Sequence, residues 1–260
     1  MIKPIIKKAF ARLGYQIIRT SAFDAVSDDP FQEMRRLFAS TPVTTIFDVG
    51  AHHGHVSLSF RRLFPHSTVY AFEPFPESFE RLSRNTAADP LIQPLKFGLA
   101  DVEGARLFSS NASSATNSLF ESDNRGAETW GPGLLETDRR ISLPFSTIDR
   151  FVVDRNIRSI DILKLDVQGA EYLVLKGAEQ LLAQSRIKLI YSEVITQPTY
   201  RNQEPLHQVL RMFHDYGFLL HNVYALSRTS EGKLRQFDAI FTLASRGADQ
   251  HATANRVALQ

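Results

Sequence analysis

The chain has 260 residues, of which 43% are hydrophobic and 22% charged, a composition typical of a globular domain and incompatible with disorder over most of its length. Lysine and arginine number 30 against 28 acidic residues, and the resulting net charge of +2 argues against a nucleic-acid-binding protein. The absence of cysteine excludes disulfides, cysteine zinc sites and thiol nucleophiles, and it suits a cytoplasmic location. No apolar run predicts a transmembrane helix or a signal peptide.

The first 40 residues are predicted to form a helical N-terminal extension. Apolar side chains recur there at helical spacing, at Ile2, Ile5, Ile6, Phe10, Leu13 and Ile17. Three positions for this basic amphipathic helix stay open: packing on its own domain, packing on a second copy of the chain in a homodimer, or peripheral contact with a membrane. At the other end, residues 246–260 lack an apolar face and are predicted to be a flexible tail.

Residues 41–245 show short apolar runs that alternate with helical patterns, which predicts an α/β domain with a buried parallel sheet. The predicted strands are TTIFDVG, STVYAFEP, LIQPLKFGLA, IDILKLDVQ and IKLIYSEV. GAEYLVLKGAEQLL and PLHQVLRMFHDYG are predicted to be helices, and FLLHNVYAL and RQFDAIFTL predict a terminal hairpin. Residues 109–140 lack a sustained period and predict an insertion, which is either a lid or a partly ordered surface loop.

The first predicted strand runs into a glycine turn, Asp48-Val49-Gly50-Ala51-His52-His53-Gly54. Its G-x-x-x-G spacing differs from the dinucleotide fingerprint G-x-G-x-x-G. A carboxylate two residues before the first glycine would repel a pyrophosphate, but it suits a cationic ligand such as S-adenosylmethionine. The second strand ends at Glu73, where an acid can accept hydrogen bonds from both ribose hydroxyls. The pattern therefore predicts a nucleoside site.

The histidines of this turn raise the alternative of a metal site. His52 and His55 could share one face of a helix start, but no nearby carboxylate or cysteine completes a ligand set. We therefore expect these histidines to line or flank the loop that binds the ligand.

Several motifs in ordered succession between Thr44 and Val194 resemble the FkbM family of S-adenosylmethionine-dependent methyltransferases. They are FDVGAHHGHVS, AFEP, GLAD with the EG that follows, FSTIDRF and LKLDVQGAEYLVLKGAEQLL. His52 stands where many members have asparagine, and Gln168 where glutamate is common. The resemblance implies a class I methyltransferase fold, which is a Rossmann-like three-layer sandwich with a mostly parallel seven-stranded sheet and an antiparallel terminal hairpin. It also implies O-methylation, often of sugar hydroxyls in polysaccharides, lipids or natural products.

The resemblance also implies the roles of individual residues in this sequence. The methionine part of the cofactor would be contacted by Asp48, Gly50, Ala51 and Gly54, with His52 in the same turn. Glu73, beside Pro74, would bind the ribose. Ala100 and Asp101 would border the adenine, and Asp166 would lie beside the methyl group.

An alcohol must lose a proton when it attacks the methyl donor, so a nearby general base accelerates the reaction by ~10²–10⁴-fold. Asp166, at the end of its strand, is the first candidate. Glu171 and Glu193 are further candidates for a base, a sugar contact or a ligand of a divalent metal, and their alternatives are a helix N-terminal charge and a strand-end cap. His207 is a weaker candidate for the base. Acceptor contacts are open among Trp130, Tyr200, Arg201 and Tyr224.

The leading hypothesis is an O-methyltransferase that acts on a hydroxyl of a small molecule or glycan. A nicotinamide-dependent oxidoreductase is the second hypothesis, and the missing fingerprint and Asp48 count against it. A cofactor-binding scaffold without catalysis is the third. A nucleic-acid methyltransferase is disfavoured because the chain lacks an Asn/Asp-Pro-Pro motif and a basic stripe.

Overall fold

The computed structural model describes residues 26–131 and 133–244, apart from the side chains of residues 127 and 128. The amphipathic pattern of residues 2–17 and the predicted tail lie outside the described residues. Within the described part of the chain, no helix is long and apolar enough to cross a membrane.

The helices and strands of the described residues are numbered in chain order. The helices are α1 Pro30–Leu37, α2 His55–Leu63, α3 Pro76–Thr86, α4 Asn124–Trp130, α5 Ile148–Asp154, α6 Glu171–Lys176, α7 Glu179–Ala183 and α8 Leu206–Asp215. The strands are β1 Thr45–Val49, β2 Thr68–Phe72, β3 Ile92–Leu95, β4 Gly98–Leu99, β5 Gly104–Asn111, β6 Thr137–Ser146, β7 Ile160–Leu165, β8 Ile187–Ile195, β9 Phe218–Arg228 and β10 Leu234–Leu243.

Seven of these strands form one sheet in the order β3-β2-β1-β7-β8-β10-β9. The first five strands in this order are parallel to one another, whereas β10 is antiparallel to both β8 and β9. The predicted α/β class I methyltransferase fold, with its antiparallel terminal hairpin, is therefore confirmed. All six residues of β7 are buried, as expected for a central strand with helices on both faces.

Successive residues of the central strands enter two separate cores. Phe47 and Leu163 belong to the larger core beneath α5 to α8, whereas their neighbours Ile46 and Ile162 belong to the core beneath α1 to α3. This alternation follows from the two-residue period of a strand. It gives three layers and leaves the carboxyl ends of β1, β2, β7 and β8 together at one edge.

The prediction of one strand for LIQPLKFGLA was wrong, because the segment divides into β3 of the large sheet and β4 of a second sheet, β4-β6-β5. The prediction of one helix for GAEYLVLKGAEQLL was also wrong, because the segment divides into α6 and α7 near Gly177. A Cβ atom on Gly177 would lie 2.0 Å from the carbonyl oxygen of Ala100, so the chain passes too closely there for a larger residue.

The hairpin of β5 and β6 was not predicted. It crosses into the insertion, so residues 109–140 contain the end of β5, the start of β6, a 3-10 turn at Ser114–Thr116 and α4. The two strands carry exposed and charged residues, including Leu107 at 53% exposure, and they therefore lack the apolar run of a buried parallel strand.

Candidate active site

A cavity of about 390 Å³ lies at the edge where the carboxyl ends of β1, β2, β7 and β8 meet. Its volume is within the range of ~300–1,000 Å³ that is usual for small-molecule and cofactor sites. The insertion forms one wall through residues 113–117, 119, 130 and 134. Of the residues predicted to bind cofactor, Gly50, His52, Glu73, Pro74 and Asp166 line this cavity.

The glycine turn is held against both neighbouring strands. The N–H groups of Gly50 and Ala51 donate to the carbonyl oxygen of Phe72, at 3.1 and 3.0 Å. Gly50 has a φ of 75°, and a Cβ atom there would lie 1.9 Å from the carbonyl oxygen of Asp166. Only glycine therefore lets β1 turn this close to β7.

Ala51 and Gly54 are buried and do not line the cavity, and their contact with the cofactor stays a prediction. Gly54 faces α3 instead, where a Cβ atom would lie 2.8 Å from the Leu82 side chain. Both residues shape the turn from behind.

Asp48 does not line the cavity, and its direct contact with the cofactor stays a prediction. Its carboxylate is fully buried and accepts a hydrogen bond of 2.6 Å from the hydroxyl of Ser57. Its other oxygen lies 3.1 Å from the Nζ of Lys164. Asp48 therefore acts on the site through these two partners.

Glu73 lines the cavity at the end of β2 and is 6% exposed. One carboxylate oxygen accepts the N–H of His52 at 2.8 Å, and the other accepts the N–H of Phe75 at 2.9 Å. Burial raises the pKa of Glu73 to about 7, although these two hydrogen bonds act in the opposite direction. Each oxygen keeps a further lone pair for a ligand hydroxyl.

His52 joins the glycine turn to the insertion. Its ring stacks on His53 with centroids 3.6 Å apart, and its Nε2 lies 2.9 Å from the hydroxyl oxygen of Ser114. Burial lowers the pKa of His52 to about 4, with a smaller contribution from His53, so the ring is neutral at pH 7. His55 is exposed at the start of α2.

Asp166 and Glu193 are brought together on the far side of the cavity by one amide. The Nε2 of Gln168 donates to Asp166 at 3.0 Å and to Glu193 at 2.8 Å. The Asp166 side chain is 42% exposed, whereas Glu193 also accepts a hydrogen bond of 2.7 Å from Gln236. Burial and the Asp166 carboxylate raise the pKa of Glu193 well above its ordinary value. The pair can thus hold one proton between two acids.

Glu171 does not line this cavity, and its catalytic role stays a prediction. Its carboxylate accepts the N–H of Val167 at 2.9 Å and of Gly169 at 3.3 Å. Burial raises the pKa of Glu171 to about 7. Glu171 therefore fixes the loop that follows Asp166.

Ala100 and Asp101 also lie outside the cavity lining, and their place beside the adenine stays a prediction. Ala100 is fully buried, and Asp101 pairs with Arg106. The cavity is bordered instead by Gly98 and Leu99, the two residues before them.

Lys164 was missed by the sequence analysis. Its side chain is 6% exposed and lies behind the glycine turn, where Nζ donates to the carbonyl oxygen of Gly50 at 2.9 Å. Burial alone would lower the pKa of Lys164, but Asp48 and Asp166 raise it above its ordinary value. The signal was a lysine within the buried run that also holds Ile162, Leu163 and Leu165, because a buried lysine needs a charged partner.

The insertion contributes a polar side chain, Asn117, and an aromatic one, Trp130, to the cavity lining. Asn117 is 9% exposed and its Nδ2 has no hydrogen-bond partner among the described residues. Trp130 presents an aromatic surface, and its other contacts are Arg235, 4.3 Å from the ring centroid, and the hydroxyl of Thr199. Nothing in the sequence pointed to Asn117.

Other predicted candidates lie elsewhere. Tyr200 is buried behind the lining, with its hydroxyl 2.9 Å from the Oε1 of Gln168. Arg201 is exposed and pairs with Glu121, and Tyr224 lies in the core beneath α1. His207 is exposed on α8. Within the described residues, no three His, Cys, Asp or Glu side chains are grouped to hold a metal ion.

Residues 48–220 match a family model described as the methyltransferase FkbM domain. The chain is 26% identical over 181 residues to the 2-O-methyltransferase NoeI of Sinorhizobium fredii, a match that covers 67% of this chain and 73% of that protein. It is 31% identical over 191 residues to the methyltransferase sdnD of Sordaria araneosa, with 65% and 74% covered. It is 25% identical over 196 residues to the 31-O-demethyl-FK506 methyltransferase FkbM of Streptomyces tacrolimicus, with 68% and 73% covered.

Proposed function

Because the chain belongs to the FkbM methyltransferase family, we propose that it transfers a methyl group from S-adenosylmethionine to a hydroxyl group of a small molecule or glycan. Methyl transfer is the chemistry of the family. The proposal concerns the methyl donor, the atom that accepts the methyl group and the residue that takes the proton.

The charge of the cavity lining is the observation that carries the proposal. Glu73, Asp166 and Glu193 line the cavity, and the described lining includes neither lysine nor arginine. S-adenosylmethionine carries a sulfonium and an ammonium group and no phosphate. A nicotinamide dinucleotide carries a diphosphate, for which the described lining offers no lysine or arginine as a partner. The lining thus favours the methyl donor over the nicotinamide alternative.

The nucleoside end of the donor fits the residues at β2. Glu73 is fixed by two backbone N–H groups, so its free lone pairs point in defined directions for the two ribose hydroxyls. Gly50 presents backbone without a side chain to the same cavity, which permits close approach of a ligand.

When bound, the donor supplies an electrophilic methyl group on a positively charged sulfur. Asp166 is the group we assign to accept the proton of the acceptor hydroxyl, because it lines the cavity with a side chain that is 42% exposed, whereas the raised pKa of Glu193 favours its protonated form. The Nζ of Lys164 lies 3.6 Å from Asp166. Burial and the Asp166 carboxylate raise the pKa of Glu193, which favours a proton on Glu193. Glu193 then binds the acceptor through hydrogen bonds.

A neutral hydroxyl compound is the acceptor class that fits this lining. Two relatives are named for O-methylation, at a 2-O and a 31-O position. An anionic group beside the reacting hydroxyl would meet the Asp166 carboxylate without a lining lysine or arginine. The ring of Trp130 offers an apolar surface on which a sugar or another ring can pack.

The test is transfer of labelled methyl from S-adenosylmethionine to a panel of methyl glycosides, glycolipids and small alcohols. We expect label on a neutral hydroxyl compound and a loss of kcat by ~10²–10⁴-fold in Asp166→Asn. Asp154→Asn, at an exposed ion pair on α5, is the matched control and should leave kcat unchanged. Tight binding of the donor with no label on any acceptor would favour the non-catalytic scaffold, and full activity of Asp166→Asn would remove the assigned base.

A further inference from the structure

We propose that the side-chain amide of Asn117 binds the carboxylate of S-adenosylmethionine through its Nδ2. The inference rests on the proposed function, since it names the residue that holds the one anionic group of that methyl donor. Asn117 belongs to the insertion, lines the cavity and is 9% exposed. Its Nδ2 is buried and has no hydrogen-bond partner among the described residues.

The backbone of Asn111 fixes the orientation of the Asn117 amide. The N–H of Asn111 donates to the Oδ1 of Asn117 at 2.8 Å, and a backbone N–H group can only donate. The amide atom that faces Asn111 is therefore the oxygen, and Nδ2 is the end without a partner. Burying an N–H group without an acceptor destabilises a fold, so an acceptor on a bound ligand accounts for an arrangement that the fold alone leaves unexplained.

The other side-chain amides of the described lining already donate within the protein. The Nε2 of Gln168 donates to two carboxylates, at 3.0 and 2.8 Å, and the Nε2 of Gln236 donates to one of them at 2.7 Å. Among the side-chain amide nitrogens of this lining, the Nδ2 of Asn117 is therefore the one that is left without an acceptor.

Two contacts hold the segment that contains Asn117 across the cavity. The hydroxyl oxygen of Ser114 lies 2.9 Å from the Nε2 of His52, in the glycine turn after β1. The hydroxyl of Ser118 donates to the carbonyl oxygen of Gln168, in the loop after β7, at 2.7 Å. Asn117 lies between these two anchors in the chain, so the segment spans the part of the cavity between the ends of β1 and β7.

The order of the strands places the methionine part of the donor at this segment. Glu73, assigned to the ribose, follows β2, and Asp166, assigned to the proton of the acceptor, follows β7, with β1 between these two strands. The sulfonium must lie near Asp166 for the assigned proton transfer, so the donor crosses the cavity from β2 toward β7. The amino acid part, which is bonded to the same sulfur, then lies beside the segment that contains Asn117.

A neutral amide suits the carboxylate of this ligand better than a charged side chain. The Asp166 carboxylate would repel the carboxylate of the donor, whereas a lysine or arginine would repel its sulfonium and ammonium groups. The described lining contains neither lysine nor arginine. An amide N–H group binds a carboxylate through a charge-assisted hydrogen bond and adds no positive charge to the cavity. Asn117 therefore binds the anionic end of the ligand and leaves the cationic groups to the acids.

The experiment compares the binding of S-adenosylmethionine with that of decarboxylated S-adenosylmethionine, which keeps the sulfonium and ammonium groups. Calorimetry on the full chain measures both affinities and needs no methyl acceptor. Asn117→Asp keeps an oxygen for the N–H of Asn111 and replaces Nδ2 by a second oxygen, whereas Asn117→Ala removes the amide without adding charge. Asn124→Asp is the matched control for the added charge, because Asn124 is exposed in the same insertion and does not line the cavity.

We expect both Asn117 variants to bind S-adenosylmethionine at least about tenfold more weakly than the wild-type chain, because a hydrogen bond to a charged group is lost. Neither variant should lose more than about threefold in affinity for the decarboxylated ligand, whose binding also shows that the variant is folded, and Asn124→Asp should bind both ligands as the wild-type chain does. Equal weakening of the two ligands, or unchanged affinity for S-adenosylmethionine in either folded variant, would overturn the proposal. Failure of the wild-type chain to bind either ligand would instead remove the proposed function.

Discussion

Glu73 is a carboxyl group whose charge at neutral pH depends on its burial. Its pKa is raised to about 7, so its ionised fraction rises from about a tenth at pH 6 to about nine tenths at pH 8. In the proposed complex, the ionised form accepts a hydrogen bond from each ribose hydroxyl, whereas the protonated form must use one oxygen as a donor. Ligand affinity is therefore tied to the protonation of this one residue.

We predict that S-adenosylhomocysteine binds up to about tenfold more tightly at pH 8 than at pH 6, and that Glu73→Gln loses this pH dependence. Glu73→Ala should weaken binding at pH 8 by at least about tenfold, because both hydroxyl contacts are lost. Glu77→Gln is the control, since Glu77 is 55% exposed and pairs with Arg139 outside the cavity. Calorimetry at both pH values measures the effect, and equal affinities in wild type and Glu73→Gln at each pH would contradict it.

The acids of the site show how far the sequence could predict individual roles. Glu73 and Asp166 were expected at the cavity because they follow parallel strands, whose carboxyl ends share an edge. Asp48 and Glu171 were predicted for the same site, but their hydrogen-bond partners hold their carboxylates outside the cavity lining. Those partners are Ser57 on α2 for Asp48 and the N–H groups of the β7 loop for Glu171. Such contacts depend on packing in three dimensions and produce no recognisable spacing of residues in the sequence.

The element that sets the site most tightly is the turn between β1 and α2. Gly50 and Gly217 share a left-handed backbone, with φ values of 75° and 79°. A Cβ atom on Gly50 would meet the Asp166 carbonyl oxygen at 1.9 Å, whereas a Cβ atom on Gly217 would meet nothing within 4 Å. The two positions thus separate the cost of backbone strain from the cost of a clash.

We predict that Gly217→Ala lowers the free energy of unfolding by about 1–2 kcal/mol, which is the cost of a left-handed alanine. Gly50→Ala should cost at least twice as much and should also abolish binding of S-adenosylhomocysteine, because β7 and the turn must separate. Urea unfolding and calorimetry measure the two effects. Equal losses of unfolding free energy in the two variants would show that the clash with the Asp166 carbonyl oxygen does not lower stability.

Among the strands, those of the parallel sheet were predicted from the sequence, whereas those of the small second sheet were not. Strands β1, β2, β7 and β8 are short apolar runs, which is the pattern of strands buried on both faces. The hairpin of β5 and β6 has one largely exposed half and a charged start at TDRR, so its strands looked like loop. The insertion therefore proved to be more regular than its composition indicated.

For the whole molecule, the net charge of +2 concealed a strong local asymmetry. Basic residues outnumber acids along the chain, yet the described cavity lining contains three acids and no lysine or arginine. The topology explains the asymmetry, because strands on both sides of β1 end in acids at the same edge of the sheet. The central claim, that this edge binds a cationic methyl donor, is a claim about that local charge.

The most direct test of this claim is calorimetric titration of the wild-type chain with S-adenosylmethionine, S-adenosylhomocysteine and NAD under the same conditions. We predict saturable binding of the first two ligands and at least about a hundredfold weaker binding of NAD, because its diphosphate would lie near the Asp166 carboxylate with no lysine or arginine in the described lining. Binding of NAD in preference to S-adenosylmethionine would contradict the account.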